Sequence, residues 1–399
     1  MSGLVVVLRT WLVRIGFALG SLRPPARRVL LATAHAETLG GNLAFIHRFL
    51  RAQHPRVPVI TLAHRARRGW GGRASAAVAA VRAGYALARC RVIVVDDYFF
   101  PIYVIRPRPE TTIIQTWHAS GAFKKFGHSL AGASFGADTE LTARVRIHAN
   151  YDLCLVGSSE AAIHYAEAFG LPLDRFVTRL GIPRTDLFFG DQAKQAAEDV
   201  RSRHRLGDRR VVLYAPTFRG DRVTEARDAG HLDLHALRDA IGSDHLLLLR
   251  LHPFVRRRPE LGPELAGFVV DVSDEPDINA LMLASDVLVT DYSSAIFEFS
   301  LLERPMAFLA PDLAAYEQER GFYVDYRSWV PGPVFDRTEP LASWLRAGEF
   351  DLEPVRRFRE ASFEVADGQA TRRFVDEVVL PALDAPLRRP DGSLSVSRR

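Results

Sequence analysis

Cysteine, methionine and lysine are scarce in this chain of 399 residues: two Cys, three Met, and lysine only at Lys124, Lys125 and Lys194. Cys90 and Cys154 sit inside apolar, strand-like runs, which excludes a disulfide framework and a cysteine-based metal knuckle and fits a reducing compartment. No unbroken apolar run reaches the length of a membrane span. The apolar stretch Leu4–Gly20 is interrupted by Arg9 and Arg14, whose charges are costly at mid-membrane. A secretory signal fits poorly, because basic residues break the apolar core and no small-residue cleavage site follows. Acidic and histidine clusters with metal-ligand spacing are missing near the strand ends, so neither a metal nor another cofactor is expected.

What is present is a globular composition, 48% hydrophobic and 25% charged. The length exceeds one ordinary core, so two domains are expected. A net charge of +5 is carried almost entirely by arginine. Genome composition accounts for part of that bias; the rest suits an anionic partner, a membrane surface or phosphorylated substrate rather than nucleic acid. The N-terminal stretch reads as an in-plane amphipathic helix, Trp11 and Phe17 at headgroup level and Arg9, Arg14, Arg23, Arg27 and Arg28 meeting anionic lipid. The plainer reading is a helix that covers a core.

From Arg28 onward, short apolar strands alternate with helical stretches. Strands are expected at Val29–Thr33, Val57–Leu62, Val92–Val95, Thr111–Thr116, Asp152–Val156 and Phe176–Leu180, with helices such as Asn42–Gln53 and Ser75–Ala88 between them. After the polar helix Asp191–His204 the pattern restarts, with strands at Val211–Tyr214, Leu246–Leu251, Phe268–Asp271, Val287–Thr290 and Met306–Leu309. Such alternation predicts two parallel, doubly wound sheets. The expected organisation is a membrane-associating helix over 1–26, a domain over 27–188, a second over 205–385 and a disordered tail over 386–399.

Polar residues cluster where the strands end. Val287–Thr290 runs into Asp291-Tyr292-Ser293-Ser294 and then into an apolar run of helical spacing. A strand turning into a helix there presents backbone N–H groups beside hydroxyls, an arrangement that suits a phosphate, although Ser293 and Ser294 also make ordinary helix caps. Other strand ends carry Trp117-His118-Ala119-Ser120-Gly121 with Lys124, Thr217-Phe218-Arg219, and His252-Pro253. In open parallel sheets ligands bind at this carboxyl edge. Asp96-Asp97 ends a strand too and reads as a turn.

The blocks IIQTWHASGAFKKFG, VLYAPTFRG, LRLHP, DINALMLASDVLVTDYSSAIFEF, RPMAFLAPDLAAYEQERGFYVDY and DGQATRR, in this order over about residues 28–380, resemble the CDP-glycerol glycerophosphotransferase family of teichoic-acid primases and polymerases. The resemblance implies a GT-B fold of two facing Rossmann-like domains. It also implies transfer of glycerol phosphate, or another polyol phosphate, from a CDP-alcohol to a lipid-linked or polymeric acceptor at the cytoplasmic face of a bacterial membrane, with release of CMP. His118 is then the candidate base and His252 the group that binds or protonates the departing phosphate. Thr217, Arg219, Asp291, Ser293, Ser294, Arg320 and Arg372 become donor-side candidates, and Ser120 and Lys124 acceptor-side ones. Where the family often has Trp-His-Gly-Thr-Pro, this chain has Trp117-His118-Ala119-Ser120-Gly121, so the acceptor stays unspecified. A glycosyltransferase using a nucleotide sugar and a non-catalytic membrane scaffold are the alternatives.

Overall fold

The computed structural model describes residues 3–34, 36–64, 70–130, 139–220 and 225–385. The tail expected to be disordered, 386–399, lies outside the described residues. Two six-stranded parallel sheets organise the rest. The first holds β1 (Ala26–Thr33), β2 (Val59–Ala63), β3 (Cys90–Val95), β4 (Thr112–Gln115), β5 (Leu153–Leu155) and β6 (Phe176–Val177), in the order β2-β1-β3-β4-β5-β6. The second holds β7 (Arg210–Tyr214), β8 (His245–Leu249), β9 (Val269–Asp271), β10 (Val287–Thr290), β11 (Met306–Leu309) and β12 (Val334–Phe335), in the order β12-β11-β10-β7-β8-β9. The central strands are continuous Val, Ile and Leu runs because helices cover both faces; Val92 to Val95 and Leu246 to Leu249 are all buried. The two sheets face each other across a cleft at their carboxyl edges, the GT-B arrangement.

The domain boundary expected at 205 does not partition the chain cleanly. After β12 the chain returns to the first sheet: the helix Ala370–Phe374 accepts contact from Pro183–Phe188, and Leu380–Asp384 lies against β1 and β3. Asp186 receives the backbone N–H groups of Ala370 and Thr371 at 2.8 Å each, and Arg27 pairs with Asp384 at 2.6 Å. The segment that carries Arg372 thus belongs spatially to the first domain. It is there because Phe374, Val375, Val379 and Leu383 are fully buried and continue the first-sheet core.

The domains are also joined by a plug. Phe123, from the loop after β4, is 2% exposed and stacks on Phe322 and Trp329 of the second domain with centroids 5.8 and 5.2 Å away. Its neighbours pair backbone to backbone, Lys125 N–H to Gly321 O at 3.1 Å and Tyr323 N–H to Phe123 O at 2.8 Å. A buried aromatic held by main-chain hydrogen bonds on both sides keeps the two walls of the cleft in register.

The N-terminal helix α1 (Gly3–Ser21) packs lengthwise on α3 (Trp70–Arg89), while α2 (Gly41–Gln53) follows β1. Glycines permit the α1–α3 contact. A Cβ on Gly16 would sit 2.0 Å from Val81 O, and one on Gly84 2.0 Å from Val13 O, so the two backbones touch. Three of the arginines expected to meet lipid also have partners within the protein. Arg9 turns inward, its guanidinium 4.5 Å from the Phe100 ring centroid, and Arg14 Nε donates to Val104 O at 2.9 Å. Arg27 is taken by Asp384. The opposite face of α1 stays apolar and exposed, with Leu4, Leu8, Trp11, Ile15 and Leu19, and exposed Leu22 follows it.

Gly84→Ala places a methyl group inside a backbone contact and should destabilise the protein by about 1–3 kcal/mol, as overpacking does. That cost outweighs the gain of about 1 kcal/mol in helix propensity. A thermal unfolding midpoint equal to that of the wild type would show that the helices do not meet at the backbone.

Candidate active site

The cleft between the sheets encloses about 440 Å³, lined from the first domain by Thr33, Asn42, Asp97, Trp117, His118 and Arg184 and from the second by Thr217, Arg250, His252, Asp277 and Ser293. On the first wall, β4 is followed two residues on by Trp117, whose φ of 51° is uncommon for a large residue. Two neighbours hold this conformation. The Trp117 N–H donates to Gln115 Oε1 at 2.8 Å, and buried Asn42 Nδ2 donates to the carbonyls of Thr116 and Trp117 at 3.1 and 3.0 Å. The turn swings the next side chain, His118, over the cleft, stacked on the Trp117 ring at 4.7 Å.

His118 Nδ1 lies 3.2 Å from Asp97 Oδ2, and the His118 side chain is 53% exposed. A carboxylate only accepts, so Nδ1 carries the proton and Nε2 keeps its lone pair for the cleft. Asp97 is fixed in turn by the Tyr98 N–H at 2.6 Å on its other oxygen. The expectation that Asp97 serves a turn is therefore incomplete: the carboxylate both closes the turn and orients the histidine.

On the second wall His252 follows β8. Its Nδ1 accepts the Phe254 N–H at 3.2 Å, which leaves Nε2–H as the donor. Burial, reinforced by the positive charges of Lys124 and Arg250, pushes its pKa down to about 4. In the empty cleft His252 is thus a neutral imidazole that offers one N–H. Arg250 is 7% exposed and keeps an Nε–H without a protein acceptor among the described residues; burial also lowers its pKa. Arg184 shows the same unmet Nε–H. Both arginines line the cleft, one on each wall, and in each the Nε–H is buried without a protein acceptor among the described residues.

Arg184 also ties the walls together. Its Nη2 pairs with Glu298 of the helix Ala295–Ser300, its Nη1 donates to His118 O, and its backbone N–H donates to Asn42 Oδ1 at 3.0 Å. Glu298 is 2% exposed and accepts the Ser120 hydroxyl as well.

These contacts sort the residues expected at the site. His118, His252, Thr217 and Ser293 come together around the cleft. Lys124 bridges backbone to backbone to Phe322 of the second domain, and its charge adds to the lowering of the His252 pKa. Ser120 does not face the cleft: it is fully buried and spent on Glu298. Arg219 and Asp291 are engaged with each other, and neither lines the cleft. Arg219 pairs with Asp291 at 2.9 Å and Asp312 at 2.6 Å, and opposite charges at a strand end neutralise each other once both are buried. Asp291 receives the Thr217 N–H at 2.8 Å and hydroxyl at 3.0 Å, so the pair shapes the loop that presents Thr217. Ser293 Oγ caps the short helix through Ala295 N–H at 3.2 Å, and half-buried Ser294 lies at its N-terminus. Arg320 donates to Gly220 O at 3.2 Å and packs over Phe218 and Tyr316. Arg372 is exposed on the helix that docks on the first domain and does not line the cleft. Sequence reasoning missed Asn42, Asp97, Arg184, Arg250 and Glu298. Only Arg250 gave a signal, an arginine directly before the strand-end Leu251-His252.

A family model for CDP-glycerol:poly(glycerophosphate) glycerophosphotransferases matches residues 18–380. The chain is 37% identical over 353 residues to a teichoic acid ribitol-phosphate primase of Bacillus spizizenii, a match covering 88% of this chain and 90% of that protein. It is 36% identical over 307 residues to the teichoic acid poly(ribitol-phosphate) polymerase of the same strain, covering 76% of this chain but 49% of the polymerase. A solved variant of the wall teichoic acid polymerase TagF shares the fold, with a TM-score of 0.78 and 20% identity over 94% of each chain.

The depressed His252 pKa carries a stability signature. The unfolded imidazole takes up its proton near pH 6.5 and the folded one near 4, so this contribution is complete above pH 6.5 and is lost as pH falls toward 4. Over that window the wild type should lose roughly 3 kcal/mol more stability than His252→Gln. Parallel stability–pH curves for the two proteins would contradict the assignment of a buried, neutral His252.

Proposed function

The chain belongs to the CDP-glycerol:poly(glycerophosphate) glycerophosphotransferase family, and from that premise we propose that it moves glycerol phosphate, or a related polyol phosphate, from a CDP-alcohol to a hydroxyl of a cell-envelope acceptor, releasing CMP. The observation that carries this reading is an oriented, exposed histidine on one wall of a cleft whose other wall carries Arg250 and His252.

The acceptor hydroxyl lies against His118 Nε2. As its oxygen attacks the β-phosphorus, Nε2 takes the proton, and Asp97 steadies the imidazolium that results. The bond from the β-phosphorus to the bridging oxygen breaks, and CMP leaves with that oxygen. Charge that accumulates on the phosphates is met by Arg250 and the His252 N–H, groups already in place before the reaction, while Arg184 stays with Glu298 and holds the His118 carbonyl. A bound diphosphate also raises the His252 pKa from its empty-site value, because the charged form gains a partner. Thr217 and Ser293 supply hydroxyl donors beside it. We also propose that no metal is required: among the described residues no three His, Cys, Asp or Glu side chains are grouped to hold one, and in this reading the protein's own cations take a metal's part.

The working location in this proposal is the cytoplasmic face of the membrane, with the exposed α1 stripe seated in the interface. Leu4 is 80% exposed, Leu8 59% and Trp11 61%, one continuous apolar face on a helix whose opposite side is docked. A lipid-linked acceptor would then be presented from the surface on which the enzyme sits. Contact rests on this apolar face more than on arginines, since Arg9 and Arg14 are engaged with the protein.

Two sets of measurements test these proposals. His118→Ala should cut CMP release from CDP-glycerol by roughly two to four orders of magnitude with donor affinity unchanged, and Asp97→Asn should lower turnover in the same way but less. His252→Ala should weaken donor binding and turnover together, and activity should persist in EDTA. Wild-type turnover in His118→Ala, or full loss in EDTA restored by magnesium, would contradict the mechanism. For the membrane, Trp11→Glu with Ile15→Glu should abolish sedimentation with anionic vesicles while leaving CDP-glycerol affinity intact. Undiminished sedimentation would move the anchor elsewhere.

A further inference from the structure

A second cavity, of about 790 Å³, lies beneath α1 and α3 at the carboxyl ends of β1 and β2, and the reaction above leaves it without a role. Its walls are apolar, built from small α3 side chains such as Ala76 and Ala79 on one side and Phe99 and Phe100 on the other. Its volume falls in the range of sites that bury a small molecule. Three observations say what kind of molecule fits. Val5 and Val78 line the cavity and are 49% and 58% exposed, so it opens on the apolar α1–α3 surface. Arg9 and Arg82 line it too, and Arg9, packed on Phe100, has no carboxylate partner among the described residues. Finally, Thr33 at the end of β1 lines both this cavity and the catalytic cleft, and Tyr98, which lines the cavity, follows Asp97 of the cleft directly.

A cavity that is apolar along its length, cationic at its wall, open to a hydrophobic surface at one side and adjoining a phosphotransfer cleft at the other suits one class of ligand. That class is an anionic amphiphile, a phosphate group on a long hydrocarbon chain. We infer that the cavity between α1, α3 and the ends of β1 and β2 holds the lipid chain of the acceptor, so that its head passes Thr33 to reach His118. The inference rests on the transferase reading above. It gives α1 a second task, because the helix both seats the protein on the membrane and roofs the route by which an acceptor leaves it. A bilayer phospholipid has the same chemistry, but filling the cavity with one would deliver nothing to His118. The shared Thr33 boundary therefore favours the acceptor.

The experiment uses the full chain and farnesyl diphosphate as probe, followed by calorimetry. Wild-type protein should bind it. Ala76→Trp with Ala79→Trp, which fills the cavity from half-buried positions on α3, should weaken binding by at least about tenfold and leave CDP-glycerol affinity and vesicle sedimentation unchanged. Inorganic diphosphate should fail to displace the probe. With a chain-bearing acceptor the double variant should show a raised KM, and with a chainless polyol phosphate its kcat/KM should match the wild type. Equal probe binding by both proteins, or efficient displacement by inorganic diphosphate, would overturn the inference. So would a loss of vesicle sedimentation that parallels the loss of probe binding, since bulk lipid would then be the occupant. Should the double variant lose CDP-glycerol binding and hence its fold, Arg9→Gln carries the decision, with weaker probe binding expected and unchanged binding contradicting. The probe measurement needs no turnover. Absence of CMP release with every acceptor would sink the transferase reading and leave the cavity's ligand class to be decided by binding alone.

Discussion

Glu298 is the constraint on which the site depends. Its carboxylate belongs to the second domain, yet both of its partners, Arg184 and the Ser120 hydroxyl, belong to the first. A carboxylate that is 2% exposed has no water to fall back on, so removing Arg184 leaves a buried charge uncompensated, and removing the Ser120 hydroxyl costs it a hydrogen bond. Arg184 in turn holds the carbonyl of His118 and the side chain of Asn42, and Asn42 holds the Trp117 turn that aims the histidine. One ion pair across the domain boundary thus sets the position of the proposed base relative to the donor wall. The Phe123 plug acts beside it by a different force, aromatic burial, and fixes the same two walls. Together they make a cleft whose geometry exists before any ligand enters it, which is what electrostatic stabilisation of a transferring phosphate requires.

Charge in this cleft is distributed according to burial. Where acids and bases share a strand end they consume each other, as Arg219, Asp291 and Asp312 do, and the product is a rigid loop instead of a binding group. Where a cation is buried with only carbonyl partners, as Arg250 is, it keeps a donor in hand. His252 stays neutral chiefly because it is buried, with Lys124 and Arg250 adding to the effect, so it acts as a hydrogen-bond donor and adds no further positive charge. The division explains how a site can be strongly attractive to a diphosphate without an assembled metal centre in the proposed mechanism.

Much of the fold was legible because its strands are short β-branched and leucine runs bounded by turn residues, and every strand expected from that pattern is present. β12 escaped notice since Val334–Phe335 is two residues long within a Pro- and Gly-rich stretch. The strand-end rule located His118, His252, Thr217 and Ser293, as periodicity and topology suffice to bring strand ends to one edge. It misplaced Ser120, Arg219 and Asp291 because sequence order does not tell a side chain that faces the cleft from one that meets a partner behind it. Arg184 and Glu298 lie more than a hundred residues apart, and neither sits in a pattern that announces the other. The orientation of α1 was hidden for a related reason. Its charges suggested a basic lipid face, whereas Gly16 and Gly20, spaced four apart, mark the side that docks and carries Arg9 inward.

The most direct test of the account follows the phosphorus atom. CDP-glycerol labelled with ³²P at the β position should pass its label to the acceptor and leave unlabelled CMP, because the acceptor oxygen attacks that phosphorus and the bond to the bridging oxygen breaks. Recovery of the label in a released CDP would mean that the alcohol was transferred by cleavage at carbon, as in sugar transfer, and would contradict the role assigned to both histidines.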